Sequence, residues 1–331
     1  MRIAVLGAGA VGGTLAALLA RAGHEVEVTA RGDQLDAIRA AGLRLEGGWG
    51  EHVARVRAGS ELSAAPDLAI LATKAQDAEG ALRGSARVLH GVPVLVVQNG
   101  LGGLRVASEA APGSPLLGGL ALFAASYLSP GVVHVTGPNP LILGAGPGCD
   151  DALLERVAGV LRDALPIEVT HDFEGAQWTK LLINHVNALP AITGMSVQDV
   201  IAHPGLRRAM TASMRETVRI ARRLGVRFGT VQGVSGAVLG LIGVLPLGLG
   251  AAFPRLLARG MGEVPNPGST LQSIRRGRLT EIDYLNGAVV AAAAEGGLPA
   301  PVNAAIVDLV HEVERTGAFL PPEAVLARIA G

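Results

Sequence analysis

The sequence predicts an α/β fold in two parts, with a parallel-sheet domain over residues 1–170 and an all-helical domain over residues 171–331. Three observations support this prediction. A short apolar run opens the chain and is followed at once by closely spaced glycines. As far as Thr170, apolar runs of strand length alternate with helical patterns, which is typical of a parallel sheet covered by helices. Beyond Thr170 the strand patterns stop and only helical periodicity remains.

The first thirteen residues, MRIAVLGAGAVGG, contain the most informative turn of the chain. Arg2–Leu6 is predicted to be a buried strand and Val11–Ala22 a helix, with G-x-G-x-x-G spacing at their junction. In such a turn one glycine bends the chain, one admits a diphosphate to the backbone, and one lets helix and strand pack closely. The N–H groups at the helix N-terminus attract that anion. We therefore predict a Rossmann-type dinucleotide-binding domain, whose cofactor-binding loop comprises Gly7, Gly9, Ala10, Val11 and Gly12.

Arg31 follows the second predicted strand, His24–Thr29, which alternates as HEVEVT. Sites for NAD tend to place an acid near this position, whereas sites for NADP use an arginine against the 2′-phosphate. A planar guanidinium suits that phosphate because it forms two parallel hydrogen bonds. Arg31 therefore predicts NADP(H) as the cofactor. Asp33 keeps NAD(H) open as an alternative, and a solvated surface charge is the other interpretation of Arg31.

Polar side chains follow two further predicted strands. Leu68–Ala72 leads into Lys74 and Gln76, and Val92–Val97 leads into Asn99. Ligands of open α/β sheets bind outside the carboxyl ends of the strands, so these residues are predicted to bind the cofactor. Taken singly, Lys74 could be a surface lysine and Asn99 part of a turn. Their equivalent positions after two strands favour a site.

The remaining elements of the first domain follow from shorter patterns. Gln34–Ala41 is predicted to be a helix, and the GGWG stretch is predicted to connect a hairpin. Three later runs are assigned to the rest of the same sheet, partly antiparallel: Leu116–Phe123, Val132–Val135 and Leu141–Leu143. The domain is predicted to end with a helix over Asp151–Ala164 and a short strand over Ile167–Val169.

A polar stripe marks the first helix of the second domain, predicted over Glu174–Thr193. At 3.6 residues per turn, Lys180, Asn184 and Asn187 share one face of this otherwise apolar helix. A lysine on such a helix is rarely buried without a partner, so the stripe is a candidate site, and we expect Asn187 on it to bind substrate. A solvated helix face is the alternative. His185 lies off the stripe and is predicted to be a packed histidine.

An uncharged stretch, Phe228–Pro254, follows the next predicted helix, His203–Arg223. By length alone, this uncharged stretch could also be a transmembrane segment. Seven glycines and Pro246 interrupt it, so we predict a buried or interface-forming helical hairpin instead. Association with a membrane stays open as an alternative.

The stretch STLQSIRRGRLTEIDYLNG contains the remaining candidate residues. Ser269, with a glutamine three residues later, predicts a capping box at a helix N-terminus. Binding of substrate by Ser269 is an equal alternative, and both can hold. Glu281 supplies a carboxylate near the end of the stretch. Ala288–Ala294 and Pro301–Arg315 are predicted to be helices.

Composition excludes several classes of partner. The 331 residues include 28 basic and 28 acidic side chains, so the balance favours neither nucleic acid nor an anionic membrane surface as a partner. Cys149 is the single cysteine, which fits a reducing compartment, and we expect a cytoplasmic protein. The first apolar run is too short for a signal peptide. No cluster of histidine and cysteine has the spacing of metal ligands, so no metal is expected.

These motifs resemble the ketopantoate reductase (2-dehydropantoate 2-reductase) family over nearly the whole chain. The resemblance rests on GAGAVGG, Arg31, ATKAQ, QNG, WTKLLIN and STLQ…TEIDYLNG, of which the last two are the most specific. It implies an N-terminal Rossmann domain, a helical C-terminal domain and NADPH as cofactor. It also implies that Lys74 and Asn99 line the cleft, with Asn99 close to the nicotinamide and the substrate.

The resemblance further implies roles for residues of the second domain. Lys180 is implied to be the general acid, while Asn184, Ser269 and Glu281 are implied to contact the substrate. We expect Glu281 to serve catalysis and cofactor binding as well, and we expect a homodimer. Elementary chemistry agrees, because hydride attack on a 2-oxo group builds negative charge on oxygen, which a protonated lysine stabilises and neutralises.

The sequence departs from the family pattern at two positions beside the implied substrate site. The family often has an asparagine where this chain has Ala188, and an acid where it has Ser273. The expected activity is therefore NADPH-dependent reduction of 2-dehydropantoate to pantoate, with another 2-oxo or 3-hydroxy acid as the alternative substrate. A non-catalytic NADP(H)-binding protein is the other alternative, and Lys180 and Glu281 argue against it.

Overall fold

The computed structural model describes residues 1–259 and 264–329, and it divides the chain into two compact units, Met1–Phe173 and Glu174–Gly331. The division falls three residues after Thr170, where the strand patterns of the sequence end. The predicted second domain also takes in residues 260–263 and 330–331, which lie outside the described residues.

The first unit is built from strands and helices that alternate along the chain. Its strands are β1 (Arg2–Leu6), β2 (Glu25–Thr29), β3 (Leu43–Gly47), β4 (His52–Ala54), β5 (Arg57–Gly59), β6 (Leu68–Leu71), β7 (Val94–Val97), β8 (Leu116–Ala121), β9 (Ala124–Ser129), β10 (Val132–Gly137), β11 (Leu141–Ala145) and β12 (Ile167–Thr170). Its helices are α1 (Ala10–Arg21), α2 (Gly32–Ala41), α3 (Ala78–Leu89), α4 (Gly103–Ala110) and α5 (Asp151–Arg162).

The main sheet has eight strands in the order β12-β11-β8-β7-β6-β1-β2-β5. Its neighbours run parallel except at β8 and β11, which are antiparallel. Alternate residues of β6 serve opposite faces: Leu68 and Ile70 join one apolar core, and Ala69 and Leu71 join the other. Burial on both faces explains why these strands are continuous apolar runs. The chain turns to opposite sides of the sheet from β1, so the edge at β1 and β6 is the position where doubly wound folds bind ligands.

The assignment of Val132–Val135 to the main sheet is wrong. That run belongs to β10, which lies in a separate four-stranded sheet in the order β4-β3-β10-β9. The predicted GGWG hairpin is confirmed, because β3 and β4 pair antiparallel, and β10 runs parallel beside β3. A Cβ on Gly13 of α1 would lie 2.9 Å from Val133 Cγ1, so α1 packs directly on this second sheet. The sequence did not predict β9 (AASYLS), none of whose residues is buried.

The second unit is helical throughout the residues that the structure describes. Its helices are α6 (Phe173–Asn184), α7 (Ala188–Thr193), α8 (Val197–Ala202), α9 (Pro204–Arg223), α10 (Gly236–Val244), α11 (Leu247–Gly250), α12 (Ala252–Arg259), α13 (Gly268–Arg275), α14 (Asn286–Glu295), α15 (Pro301–Thr316) and α16 (Pro322–Ile329). The predicted helix over Glu174–Thr193 is broken by a 3-10 turn at His185–Asn187.

The uncharged stretch forms α10, α11 and the start of α12 rather than one continuous helix. The chain leaves the helical conformation at Leu245 and Pro246, where proline cannot continue the preceding hydrogen-bond ladder. Leu241, Val244 and Leu249 remain more than half exposed, so the stretch is only partly buried. Over residues 1–259 and 264–329, each helix is too short or too polar to cross a bilayer.

Candidate active site

The glycine turn between β1 and α1 has the geometry that its sequence predicts. Gly7 adopts a φ of +96°, which few other residues tolerate. A Cβ on Gly12 would lie 2.0 Å from the Gly7 carbonyl oxygen, so only glycine lets α1 approach the turn this closely. At Gly9, by contrast, an added Cβ would meet nothing within 4 Å. The open space beside Gly9 is where a diphosphate can reach the backbone.

Side chains on both sides hold this turn in place. The Gly7 N–H donates to Thr29 Oγ1 at 3.0 Å, at the end of β2. Gln34 Nε2 donates to the Ala8 carbonyl at 2.6 Å, and Gln34 Oε1 accepts from the Gly131 N–H at 2.6 Å. The turn is therefore preorganised before any ligand binds. The role of Gln34 could not be predicted from local pattern, because its second partner lies 97 residues away.

Thr73 and Gln98, which follow β6 and β7, supply polar groups beside the glycine turn. A Cβ on Gly7 would lie 2.9 Å from the Thr73 backbone nitrogen, and Gln98 Nε2 donates to the Thr73 carbonyl at 2.9 Å. Thr73 Oγ1 and Gln98 Oε1 are buried without a hydrogen-bond partner in the described part of the chain. Buried polar atoms are rarely left unsatisfied, so this edge of the sheet fits a polar ligand such as a dinucleotide. The predicted cofactor residues at these strand ends are Lys74, Gln76 and Asn99, and Thr73 and Gln98 are not among them.

The other predicted cofactor residues of the first unit lie on the connections after β2, β6 and β7. Arg31 is exposed immediately before α2, and Asp33 is exposed in its first turn, so the structure leaves both cofactor alternatives in place. Lys74 is half-buried and directly precedes a 3-10 turn that contains the exposed Gln76. Asn99 is half-buried in the loop after β7.

In the second unit, the three residues of the polar stripe are more exposed than most of the residues around them in the chain. Lys180, Asn184 and Asn187 are each half-buried, whereas their neighbours from Leu181 to Ile183 are buried. Lys180 and Asn184 are one turn apart on α6, and Asn187 ends the 3-10 turn that follows. The structure therefore brings these three predicted residues into one row.

The helix that carries Lys180 is anchored by its neighbour Thr179. The Thr179 hydroxyl lies 2.7 Å from the Gly229 carbonyl and 3.0 Å from the Gly175 carbonyl. Burial lowers the pKa of the Lys180 ammonium to about 8, because the charged form loses hydration. An amine with that pKa can give up its proton near neutral pH, as a general acid must.

Asn187 lies against the N-terminus of α13, where the predicted Ser269 is located. A Cβ on Gly268 would lie 2.5 Å from Asn187 Oδ1, and Gly268 has a φ of +72°. This close approach brings Asn187 and Ser269 to the same region of the second unit. The predicted capping box is wrong, since α13 begins at Gly268 and Ser269 is already helical. Asn266 takes the capping role, because its Oδ1 accepts from the Gly268 N–H at 2.8 Å.

Glu281 lies in a separate segment that is fastened to α15. It is half-buried and directly precedes a 3-10 turn, Ile282–Tyr284. On either side of it, the Thr280 N–H donates to Glu314 Oε1 at 2.7 Å, and Asp283 Oδ1 lies 2.9 Å from His311 Nε2. These contacts fix the backbone that presents Glu281.

Comparison with known proteins identifies relatives of this chain. Residues 3–148 match the family described as ketopantoate reductase PanE/ApbA, and residues 172–314 match the C-terminal part of the same family. The chain is 30% identical over 320 residues to the 2-dehydropantoate 2-reductase of Pyrococcus horikoshii, covering 96% of this chain and 99% of that protein. It is also 30% identical over 315 residues to that of Archaeoglobus fulgidus, covering 95% and 98%.

Solved structures show the same architecture. A PanE/ApbA family ketopantoate reductase from Ralstonia eutropha superposes with a TM-score of 0.82 at 29% identity, covering 95% of this chain and 99% of that one. D-mandelate dehydrogenase with NADH and anilino(oxo)acetate superposes with a TM-score of 0.82 at 21% identity, covering 96% and 99%, and shares the fold alone. The predicted α/β fold, with its Rossmann-type domain and helical C-terminal domain, is confirmed. Matches of this extent, in sequence and in fold, make the chain a member of the ketopantoate reductase PanE/ApbA family.

Proposed function

We propose that this chain catalyses the NADPH-dependent reduction of 2-dehydropantoate to pantoate. The observation that carries the proposal is Lys180, a half-buried amine with a pKa of about 8 in a row with Asn184 and Asn187. Family membership supports the reaction class, because relatives at 30% identity are named for this reaction. Bound NADPH supplies the hydride. The residues proposed to hold it in the first unit are Gly7, Gly9, Ala10, Val11, Gly12, Arg31, Lys74, Gln76 and Asn99.

Lys180 is proposed to act on the oxygen of the substrate carbonyl. Its ammonium donates a hydrogen bond to that oxygen, stabilises the negative charge that grows there, and then transfers a proton. Asn184, Asn187 and Ser269 are proposed to orient the acid by hydrogen bonds. Glu281 is proposed to position the ammonium, to accept from a substrate hydroxyl and to contact the cofactor.

A different 2-oxo acid is the second candidate substrate, and two residues favour it. Ala188 and Ser273 stand where the family often has an asparagine and an acid, and Ala188 is buried in α7 beside the proposed substrate residues. A loss of polar groups there favours a less polar substrate. A non-catalytic NADP(H)-binding role has no comparable support, because it does not account for the half-buried amine of Lys180.

One assay separates these candidates. NADPH oxidation is measured with 2-dehydropantoate and a panel of other 2-oxo acids, and the largest kcat/KM identifies the substrate. Lys180→Ala should lower kcat by about 10²–10⁴-fold, the usual contribution of general acid catalysis, while NADPH still binds. Glu281→Ala should mainly raise KM, by roughly 10–100-fold, since a hydrogen bond to a charged group is worth about 1.5–3 kcal/mol. Near-normal turnover by Lys180→Ala would remove that residue from the mechanism.

The proposal extends to assembly and location. We propose a homodimer in the cytoplasm. Exposed apolar side chains on α10, α11 and α12, among them Leu241, Leu249 and Leu256, support contact with a second copy. The single cysteine fits a reducing compartment. Light scattering of the purified protein measures the first property, and fractionation of the source cells the second. A mass equal to 33.6 kDa at micromolar concentration would rule out the dimer.

A further inference from the structure

A buried histidine, His185, follows Asn184 of the polar stripe in the chain. His185 is 2% exposed and occupies the first position of the 3-10 turn. Its Nδ1 lies 2.9 Å from the Leu181 carbonyl oxygen, and its Nε2 lies 2.8 Å from Thr217 Oγ1. Burial lowers the pKa of His185 to about 4, so the ring is neutral near pH 7. Because a carbonyl can only accept, Nδ1 carries the proton, and Nε2 accepts from the Thr217 hydroxyl.

This proton assignment extends into helix α9. Thr217 Oγ1 also lies 3.0 Å from the Ser213 carbonyl, but its one proton is used by His185. Asn303 Nδ2 lies 3.3 Å from the same carbonyl and can satisfy it. The ring of the neutral histidine is thus held at both nitrogens.

Asn303, at the start of α15, is the centre of the network. Its Nδ2 donates to Glu216 Oε2 at 2.7 Å, and its Oδ1 accepts from Ser213 Oγ at 2.8 Å and from Asn286 Nδ2 at 2.9 Å. Asn286 is the first residue of α14, five residues after Glu281. Buried hydrogen bonds therefore connect the turn beside Asn184 to the helix that follows the Glu281 segment.

The turn at His185 determines how the stripe is aligned. In an α-helix, residues three apart are rotated by about 300°, which would leave Asn187 about 60° away from Asn184. A 3-10 helix has three residues per turn, so residues three apart lie in line. The 3-10 turn at residues 185–187 therefore places Asn187 in line with Asn184, whereas a continued α-helix would place it about 20° to the other side of Lys180. The His185 ring gives the carbonyl of Leu181 a hydrogen bond where α6 ends.

We propose that His185 is a positioning residue of the reductase site: its hydrogen bonds to Leu181 and Thr217 maintain the 3-10 turn that places Asn187 in line with Asn184, on one side of Lys180. His185 does not contact the reacting atoms in this role. The inference rests on the proposed function, since it takes the stripe to be the substrate site. It goes further by assigning that site's alignment to a residue off the stripe.

Two valine variants on α9 provide the matched test. Thr217 and Thr211 are both buried, and each hydroxyl lies within 3.0 Å of the carbonyl four residues earlier. Of the two, Thr217 contacts His185. Thr217→Val should raise the KM for the 2-oxo acid about tenfold, as expected for loss of one hydrogen bond to the substrate. Its kcat should change less than about threefold and its affinity for NADPH should be unchanged, while Thr211→Val should match the wild type.

Variants of the histidine itself provide the second comparison. His185→Leu removes both hydrogen bonds and should reproduce the Thr217→Val effect. His185→Asn retains a donor for the Leu181 carbonyl and should recover most of the loss. If His185→Leu does not fold, the two threonine variants decide the question. Equal KM values for Thr217→Val and Thr211→Val would overturn the proposal.

Hydrogen exchange separates this inference from the proposed function. Thr217→Val should speed amide exchange in residues 185–189, and Thr211→Val should not. If the wild type reduces no 2-oxo acid but this exchange difference is present, the proposed function fails and the alignment by His185 stands. If the wild type is active and neither exchange nor KM responds to Thr217→Val, the positioning role is wrong while the function stands.

Discussion

Alanine substitutions at Gly9 and Gly12 test whether the glycine turn is built for packing, for ligand approach, or for both. At Gly12 the new Cβ would lie 2.0 Å from the Gly7 carbonyl oxygen and 3.0 Å from Ala72 Cβ. Helix α1 must then move away from the sheet, and overpacking of this kind costs about 1–3 kcal/mol. In the 173-residue first unit that lowers Tm by about 2–12 °C, at roughly 2–4 °C per kcal/mol. NADPH binding should weaken as well, because the helix N-terminus is displaced.

Gly9→Ala should behave in the opposite way. Nothing lies within 4 Å of the new Cβ, and the φ of −80° suits alanine, so Tm should stay within about 1 °C of the wild type. The methyl group occupies the space of the diphosphate, and loss of a charge-assisted hydrogen bond costs about 1.5–3 kcal/mol, or roughly 10–100-fold in Kd for NADPH.

Gly84→Ala, in the middle of α3 with open space around it, is the control and should leave NADPH binding unchanged. Thermal unfolding without cofactor and fluorescence titration with NADPH measure the two quantities. A Tm for Gly9→Ala as low as that of Gly12→Ala, or unchanged NADPH binding in Gly9→Ala, would refute the reasoning.

Three further predictions concern charged and titrating groups. With Lys180 as the proposed general acid and its pKa at about 8, kcat/KM should be level below that pH and fall about tenfold per unit above it; a profile without this alkaline decrease contradicts the assignment. Arg31→Ala should raise the KM for NADPH by roughly 10–100-fold and leave that for NADH unchanged, and equal effects on both would exclude a 2′-phosphate contact. The pKa of His185 falls from 6.5 unfolded to about 4 folded, so the unfolded chain binds more protons between these values, and stability is lost as pH falls through them. Denaturant titrations should show about 3 kcal/mol less acid dependence in His185→Leu over this range, and an unchanged dependence would mean that the ring is not buried neutral.

Local sequence pattern was enough to predict the helices and strands that form the proposed cofactor and substrate sites. The β1 strand, the glycine turn and α1 follow from contiguous residues, and so does the polar stripe, because helical periodicity alone places Lys180 and Asn184 on one face. The β3 and β4 hairpin was likewise readable from GGWG. In each case the residues that determine the structure are near neighbours in the chain.

What could not be predicted depends on distant partners. Alternation in the β10 run is the same whether it joins the main sheet or the second one, and the choice is made by pairing with β3, about 90 residues earlier. The start of α13 is determined by Asn266, whose own N–H is held by Gln198, 68 residues away. The His185 ring, in the 3-10 turn, contacts Thr217 Oγ1, 32 residues away. Periodicity does not report such pairings.

The two hydrogen bonds of Gln34 couple the glycine turn to the second sheet. One carboxamide holds the Ala8 carbonyl in the glycine turn and the Gly131 N–H in the bend between β9 and β10. An insertion in that bend, or an exchange of the second sheet for one from a relative, is therefore expected to shift the backbone of the glycine turn at the proposed diphosphate position. A shortened version of this hairpin must therefore retain Gly131 in register with Gln34. Without that contact, we expect a weaker affinity for the dinucleotide.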